Sequence, residues 1–536
     1  MYHGHPVRTP AACLLLLAAC AHAPVASGPE PSPPAPTTPA DTTTPSSPWS
    51  EAQGPDRFTP VRAAAETLLA AQAEAAWRGW TSGEPTDHAA IWKGREALLD
   101  PAVLAQLAEA IVAAPAPARA RLERLRAFLL GEQLARATAG PTQALAAARS
   151  AASFAWEKRT VPLRQLHALL AGEPEGPRRK AAAEAWQASL LKLEKRTAAH
   201  DAALLRAGAE RGLGGSLALA GALRLDEPEH LGAVAEAALA AGDATWPATL
   251  DALARRELGS SGSRLREYDL PRLFRTSAAP GAFPADRLVA GVTELLAGLG
   301  LDLSASGRLT VDAAPRPGKI PRPLVVPVEV PGQVRLSLTP LAGLDAVRAL
   351  LHAVGVGLSL AHVAPTAPFE DRRLPPAWHT QAWGLLFEEI ASSPDWLRAR
   401  GVSPEAAQRE ADLDAGRRVH ATRAAAATVL IELARAQHPA SAAARWSELG
   451  PRALGHPIDR RDPPPWRLDP DPLLRAADTL RAHLLARQLS ASLAALAGDR
   501  PWWRSPAAGD WLRRAWAGGG GWVPEPIGHS STPPRT

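Results

Sequence analysis

The sequence predicts a mainly α-helical protein that contains one small β-sheet. Ala, Leu and Arg, which favour helices, are abundant among the 536 residues, and aromatic residues make up only 5%. From about residue 61 to residue 516, apolar residues recur mostly at the three- and four-residue spacing of helix faces. The exception is residues 307–340, where short runs rich in Val and Pro are typical of strands.

The N-terminus resembles a processing signal. Arg8 precedes an apolar run that is too short to span a bilayer. The sequence Leu17-Ala18-Ala19-Cys20 resembles the lipobox of bacterial lipoproteins, in which the cysteine becomes the lipidated first residue. We therefore expect residues 1–19 to be a lipoprotein signal peptide and lipid on Cys20 to hold the chain to a membrane. An ordinary secretory signal that is cut further along remains the alternative.

Two residues around Cys20 refine this expectation. The residue after the cysteine is Ala21 and not Asp, which resembles the pattern of lipoproteins sorted to the outer membrane. We therefore expect a cell-envelope protein that faces the periplasm or the surface. Cys13 is the only other cysteine and would leave with the signal. The mature chain therefore has no second thiol with which to form a disulfide.

Beyond the signal, composition divides the chain into a tether, one large domain and a tail. Residues 20–60 are rich in Pro, Ser and Thr, which bury too little apolar surface to form a core. Residues 61–516 carry the helical pattern, and the Gly- and Pro-rich residues 517–536 are predicted to be disordered. The net charge of +5 is dispersed, and no nucleic-acid recognition motif is present, so we expect no nucleic-acid partner.

A helix predicted over residues 342–362 directly follows the small sheet. It contains Leu351-His352-Ala353-Val354-Gly355-Val356, which resembles the Phe-His-Glu-x-Gly-His motif of the thimet-oligopeptidase and oligoendopeptidase family of zinc peptidases. In that family two histidines four residues apart lie on one helix face and bind one zinc ion. The resemblance extends in order over residues 145–516, and its clearest further segments are 265–303, 314–340, 379–397 and 471–516.

The resemblance also identifies what is missing. His352 keeps one ligand position, but Ala353 replaces the glutamate that takes a proton from the zinc-bound water. Val356 replaces the second histidine and Gln381 the glutamate that is the third ligand. Because a catalytic zinc needs about three protein ligands, we expect no zinc and no other cofactor. The family's C-terminal tyrosines are also absent, since the two tyrosines are Tyr2 and Tyr268. These changes predict an inactive pseudopeptidase.

A relocated metal site is the alternative for the histidines and glutamates near the motif. His352 and His362 are nearly three turns apart on one helix, too far to share a metal ion. For His352 the simpler interpretation is a hydrogen-bonded core histidine. Glu388 and Glu389 are predicted to stabilise or solvate their own helix. The remaining member of this group is His379.

The family's fold suggests what an inactive domain could still do. The strand around Gln333-Val334-Arg335-Leu336-Ser337 resembles the sheet edge that pairs with a substrate backbone, and such pairing needs only main-chain groups. We therefore expect binding of a peptide or an envelope protein, or a scaffolding role, and Arg335 and Lys319 facing the channel would favour capture. A strand that only completes the sheet is the competing interpretation. A diverged enzyme, or a regulatory companion of an intact paralogue, remains the alternative function.

Overall fold

The computed structural model describes residues 57–276, 280–458 and 473–523. The predicted signal peptide, Cys13, Cys20 and nearly all of the tether lie outside these residues. The first helix of the described residues runs from Thr59 to Ser82, near the predicted start of the folded region at residue 61. It is followed by Gly83, whose left-handed φ of 74° is a common way for a helix to end.

Helices make up most of the described residues, which confirms the predicted fold class. The α-helices are α1 Thr59–Ser82, α2 His88–Trp92, α3 Pro101–Ala113, α4 Ala116–Ala137, α5 Ala139–Ala151, α6 Leu166–Gly172, α7 Gly176–Leu191, α8 Glu194–Ala209, α9 Gly215–Arg224, α10 Pro228–Ala240, α11 Trp246–Leu258, α12 Leu270–Leu273, α13 Leu288–Gly298, α14 Leu344–Ala361, α15 Phe369–Arg373, α16 Ala377–Glu388, α17 Pro394–Arg398, α18 Pro404–Gln437, α19 Ala442–Leu454, α20 Ala476–Ala497 and α21 Pro506–Ala517. Short 3-10 turns link several of them, among them Glu389–Ser392 and Gly519–Gly521.

Two small sheets accompany the helices. β1 (Ser153–Trp156) and β2 (Arg159–Pro162) form a hairpin that the sequence pattern did not reveal. The predicted small sheet is confirmed and has the strands β3 (Leu309–Asp312), β4 (Leu324–Glu329) and β5 (Gln333–Ser337). Their order is β3-β5-β4, with β5 parallel to β3 and antiparallel to β4.

Helix α14 lies inside the largest apolar core, against the sheet, α13, α16 and α21. It begins at Leu344 and ends at Ala361, within two residues of the predicted bounds. Among the described residues it is the one helix long and apolar enough to cross a membrane by length and composition, and 78% of it is buried inside the protein. That burial makes α14 a core helix of the domain.

Two glycines allow α14 and α16 to cross closely. A Cβ atom on Gly355 would lie 2.3 Å from the carbonyl oxygen of Trp383, which real side chains do not tolerate. On the other helix, a Cβ atom on Gly384 would lie 2.6 Å from Nε2 of His352. The glycine of the motif is therefore required by packing, independently of any chemistry.

Helix α1 is joined to distant parts of the fold by polar bonds. The Arg62 guanidinium donates to Glu370 at 2.7 Å, and Arg335 of β5 makes a two-bond ion pair with Glu74 at 2.8 and 2.9 Å. At its C-terminal end, Trp80 accepts a backbone bond from Ile320 and donates its indole N–H to the carbonyl of Arg322.

The predicted disorder of residues 517–536 is wrong for the first of them. Residues 519–521 form a 3-10 turn that packs on α15, and a Cβ atom on Gly519 would lie 2.3 Å from the carbonyl oxygen of Asp371. Such glycines permit close backbone approach, which the sequence pattern cannot distinguish from a flexible tail. Residues 524–536 lie outside the described residues.

Candidate functional site

The crossing of α14 and α16 brings His352 next to Glu388. Nδ1 of His352 lies 3.2 Å from Oε2 of Glu388. Their side chains keep 17% and 24% of their surface accessible, although the adjacent Leu351 and Phe387 are fully buried. Solvent therefore reaches this pair, and we call the partly accessible site around His352 and Glu388 the recess. The predicted hydrogen bond of His352 is confirmed, although the residue is only partly buried.

Glu388 is held in its ionised form. Burial alone would raise its pKa, but the hydrogen bond with His352 and the charge of Arg417, 3.5 Å away, outweigh this and lower the pKa of Glu388. Because an ionised carboxylate only accepts hydrogen bonds, His352 donates from Nδ1. A carboxylate bonded to one ring nitrogen is also how proteins orient metal-ligating histidines.

His483 on α20 is a further member of this group. Burial lowers the pKa of His483 to about 4, an effect that the Glu388 carboxylate opposes and the charges of Arg418, His352 and Arg417 reinforce. The imidazole of His483 is therefore neutral at neutral pH. His483 therefore adds a neutral imidazole from a third helix within electrostatic range of His352 and Glu388.

A second charged group lies deeper, between α14 and α18. Arg348 donates to Glu410 at 2.6 Å, and Ser392 donates to Asp414 at 2.6 Å. Asp414 also pairs with Arg417, and Arg348 is only 4% exposed. These paired charges connect the helices that carry His352 and Glu388 and so fix the position of both side chains.

Of the four positions that the resemblance aligns with the zinc peptidase motif and its third ligand, three are buried beside this group. Ala353 and Val356 are 2% and 1% exposed, and neither side chain has an atom that could bind a metal ion. Gln381 is 6% exposed on α16, two turns before Glu388, with its polar group in contact with other residues. Within residues 57–276, 280–458 and 473–523, no group of three His, Cys, Asp or Glu side chains could hold a metal ion.

Glu388, which ends α16, and Glu389, which begins the next turn, both contact side chains of other helices. Glu388 pairs with His352, and Glu389 accepts a hydrogen bond from Ser490 of α20. Burial raises the pKa of Glu389, while the charge of Arg418 opposes that shift. Both carboxylates therefore join helices, and the prediction that they serve only their own helix is wrong.

His362 and His379, the other two histidines that the sequence analysis considered, lie elsewhere in the fold. His362, at the end of α14, places Nδ1 2.9 Å from the carbonyl of Leu358 and its ring beside Trp516. His379 is 4% exposed among tryptophans, where burial lowers its pKa to about 4. Neither residue is bonded to His352.

The segment Gln333–Ser337 is the central strand of its sheet, so the expectation of a free edge is wrong. Both of its sides are paired, with β3 and with β4. Arg335 is engaged by Glu74, and the ammonium of Lys319 is 1% exposed and donates to Asp312. The two side chains that would have favoured capture are thus both used within the protein.

Arg348, Arg417 and His483 were not recognised in the sequence. One signal was present, because Arg348 interrupts an otherwise apolar α14, and a charge on a buried helix face must have a partner. A further signal concerned Glu388, which lies seven residues after Gln381 and so shares a helix face with it. For Arg417 and His483 no local pattern pointed to the site.

The comparisons with known proteins rest on structure alone. No protein-family model and no curated protein matches the chain. A crystal structure described as an oligoendopeptidase F aligns with a TM-score of 0.60 and 16% identity, over 87% of this chain and 86% of the other. An oligoendopeptidase F from Bacillus anthracis str. Ames aligns with a TM-score of 0.58 and 14% identity, over 88% and 87%. The chain therefore has the mainly α-helical fold of these oligoendopeptidase F structures.

Proposed function

We propose that the protein is a lipid-anchored envelope protein that binds a peptide or protein segment without hydrolysing it. The observation that carries this proposal is an accessible recess with His352 and Glu388 in it, beside a helix that has Ala353 and Val356 where a zinc peptidase needs its base and second ligand. A few convergent polar groups that solvent can reach are a common feature of ligand sites. The low identity to the oligoendopeptidase structures supports the fold and leaves the activity to be tested.

The main alternative is a diverged peptidase. It is favoured by the bond between Nδ1 of His352 and Glu388, because this is how a metal-ligating histidine is usually oriented. Nε2 of His352 would then be the metal ligand. Two further ligands would have to come from outside the described residues or from a rearranged site.

The purified full-length protein is expected to retain no zinc after mild chelation, zinc repletion and desalting. One imidazole without two further ligands binds zinc too weakly to survive this treatment. Elemental analysis measures the metal directly. About one tightly held zinc ion per chain would contradict the proposal and favour the diverged peptidase.

A rebuilt motif provides the matched comparison. The triple variant Ala353→Glu, Val356→His and Gln381→Glu restores the side chains of the resembled family and is expected to hold about one zinc ion per chain. The same variant with His352→Ala is the control and is expected to lose that zinc. If the rebuilt variant folds and stays free of zinc, these positions are not a former zinc site.

Binding is tested by passing a mixture of short random-sequence peptides over the immobilised protein. We expect some peptides to be retained uncleaved, and fewer by Glu388→Gln, which removes a charge from the recess. Glu448→Gln is the control, since its side chain is 72% exposed on the surface. Cleaved products in the eluate would indicate an enzyme, and equal retention by both variants would place binding outside the recess.

The lipid anchor is tested by growing bacteria that express the protein with an alkyne-bearing fatty acid. The wild-type protein is expected to be labelled and to sediment with membranes, and Cys20→Ser to lose both properties. Cys13→Ser is the control, because that residue lies within the predicted signal. An unlabelled, soluble wild-type protein would favour the ordinary secretory signal.

A further inference from the structure

A small, partly open cavity lies beside α16. Its walls come from α14, α15, α16, α21 and the turn Gly519–Gly521, and they include Ser359, Asp371, Arg372, His379, Trp383 and Trp516. The glycines let the turn approach closely, since a Cβ atom on Gly520 would lie 2.7 Å from Cα of Pro375. The turn thereby forms one wall of the cavity.

Three polar atoms of the residues lining this cavity have no hydrogen-bond partner among the described residues. They are Nε2 of His379, Nε1 of Trp383 and Nε1 of Trp516. These residues are 4%, 0% and 1% exposed. The rings meet edge to face, with centroids 5.8 Å apart for His379 and Trp383 and 5.9 Å apart for Trp383 and Trp516. Buried polar atoms in folded proteins nearly always have a partner, so three around one cavity require an explanation.

The three atoms match the bonding pattern of water. An indole N–H only donates, so Trp383 and Trp516 supply two donors. The imidazole of His379 is neutral, because burial and the charge of Arg124 lower its pKa to about 4. In the tautomer with hydrogen on Nδ1, its Nε2 accepts. A water oxygen can accept from both indoles while one of its hydrogens is donated to His379, which gives the roughly three bonds usual for buried water.

We propose that one water molecule occupies this cavity as a permanent part of the fold, bonded to His379, Trp383 and Trp516. It joins α16 to α21 next to the closing turn Gly519–Gly521. A small anion is the rival occupant, because in its other tautomer His379 would supply a third donor.

The test is a crystal structure of the full-length protein, from crystals soaked in bromide, at a resolution that shows ordered water. We expect one oxygen-sized peak at hydrogen-bond distance from all three nitrogens and no anomalous bromide signal in the cavity. A bromide peak, an empty cavity or a protein atom in this position would overturn the proposal.

Crystal structures of two variants provide a second test. In Trp516→Phe, which removes one donor, the water peak is expected to disappear or to move away from the position of the removed indole nitrogen. In Trp511→Phe, which removes an indole outside the cavity lining, the peak is expected to stay in place. An unchanged peak in Trp516→Phe would show that the indole N–H groups do not hold the water. Should Trp516→Phe fail to fold, His379→Gln, which keeps a polar group near Nε2, is expected to retain the peak, and its loss would count against the proposal.

Discussion

Glu132→Gln is expected to stabilise the protein at pH 7, on the order of 2–3 kcal/mol. Glu132 lies on α4, is 1% exposed and accepts a hydrogen bond from Nε2 of Gln72 at 2.9 Å. Burial raises its pKa to about 8, and the bond from Gln72 opposes the shift only in part. The other oxygen of Glu132, Oε1, and the amide oxygen of Gln72 are also buried, with no partner among the described residues. If Glu132 is protonated, its O–H can donate to the amide oxygen of Gln72 while Nε2 of Gln72 donates to the other oxygen of Glu132.

The sign of the effect follows from the two pKa values. The unfolded chain releases the proton near pH 4.5 and the folded protein near pH 8, so between these values the folded state binds more protons. Stability therefore falls as pH rises through this range, by at most about 1.4 kcal/mol per pH unit. Glutamine removes this dependence, because it is neutral at every pH and supplies an N–H where the protonated acid supplies an O–H.

Urea unfolding at several pH values measures this prediction. The gain in the free energy of unfolding should be small near pH 4.5 and increase toward pH 8. Glu123→Gln is the control, since Glu123 is a half-buried glutamate on the same helix, and we expect no comparable increase there. A gain for Glu132→Gln that is independent of pH would show that Glu132 is not protonated in the folded protein.

Gly355→Ala is expected to destabilise the protein by about 3 kcal/mol or more. The added Cβ atom would lie 2.3 Å from the carbonyl oxygen of Trp383, and that oxygen belongs to the backbone of α16 and cannot move alone. The same Cβ atom would lie 3.1 Å from the Phe387 ring, which further restricts how the neighbouring residues can move. The two helices must therefore separate, which would also lengthen the bond between His352 and Glu388.

Gly131→Ala on α4 is the matched control for this change. Its nearest neighbour would be a methyl group of Leu223 at 3.8 Å, an ordinary contact, so the better helix propensity of alanine should give about 0.5–1 kcal/mol of stabilisation. Thermal or urea unfolding compares the two variants with the wild type. If Gly355→Ala proved as stable as Gly131→Ala, the close helix crossing would be wrong.

Sequence periodicity was sufficient for the helices and for the existence of the small sheet. It placed α14 within two residues because a long apolar repeat follows a sheet and begins just after Gly343. Strand order depends on contacts between distant segments, so no local pattern could show that Gln333–Ser337 pairs on both sides. The Gly519–Gly521 turn was misjudged because glycine favours both disorder and close packing.

For the candidate site, the resemblance located His352 and Gln381 on two helices but did not give their neighbours. The partner of His352 proved to be Glu388. The two are brought together by the close crossing of α14 and α16, which the glycines at the contact allow. Arg417 and His483 come from helices much later in the chain. Only the tertiary fold brings these two side chains near His352 and Glu388, so single-sequence reasoning could not assign them.

The bonds of helix α1 have a consequence for the order in which the chain folds. Its apolar face packs on nearby helices, with Leu68 in one cluster with Leu104 and Leu125, and these partners leave the ribosome soon afterwards. Its polar partners come much later, since the bond from Arg62 to Glu370 spans 308 residues. At about 5–20 residues per second, synthesis leaves that arginine without its carboxylate for roughly 15–60 s. Helix α1, the first of the described helices, therefore receives its last contacts only after more than half of the chain has been synthesised.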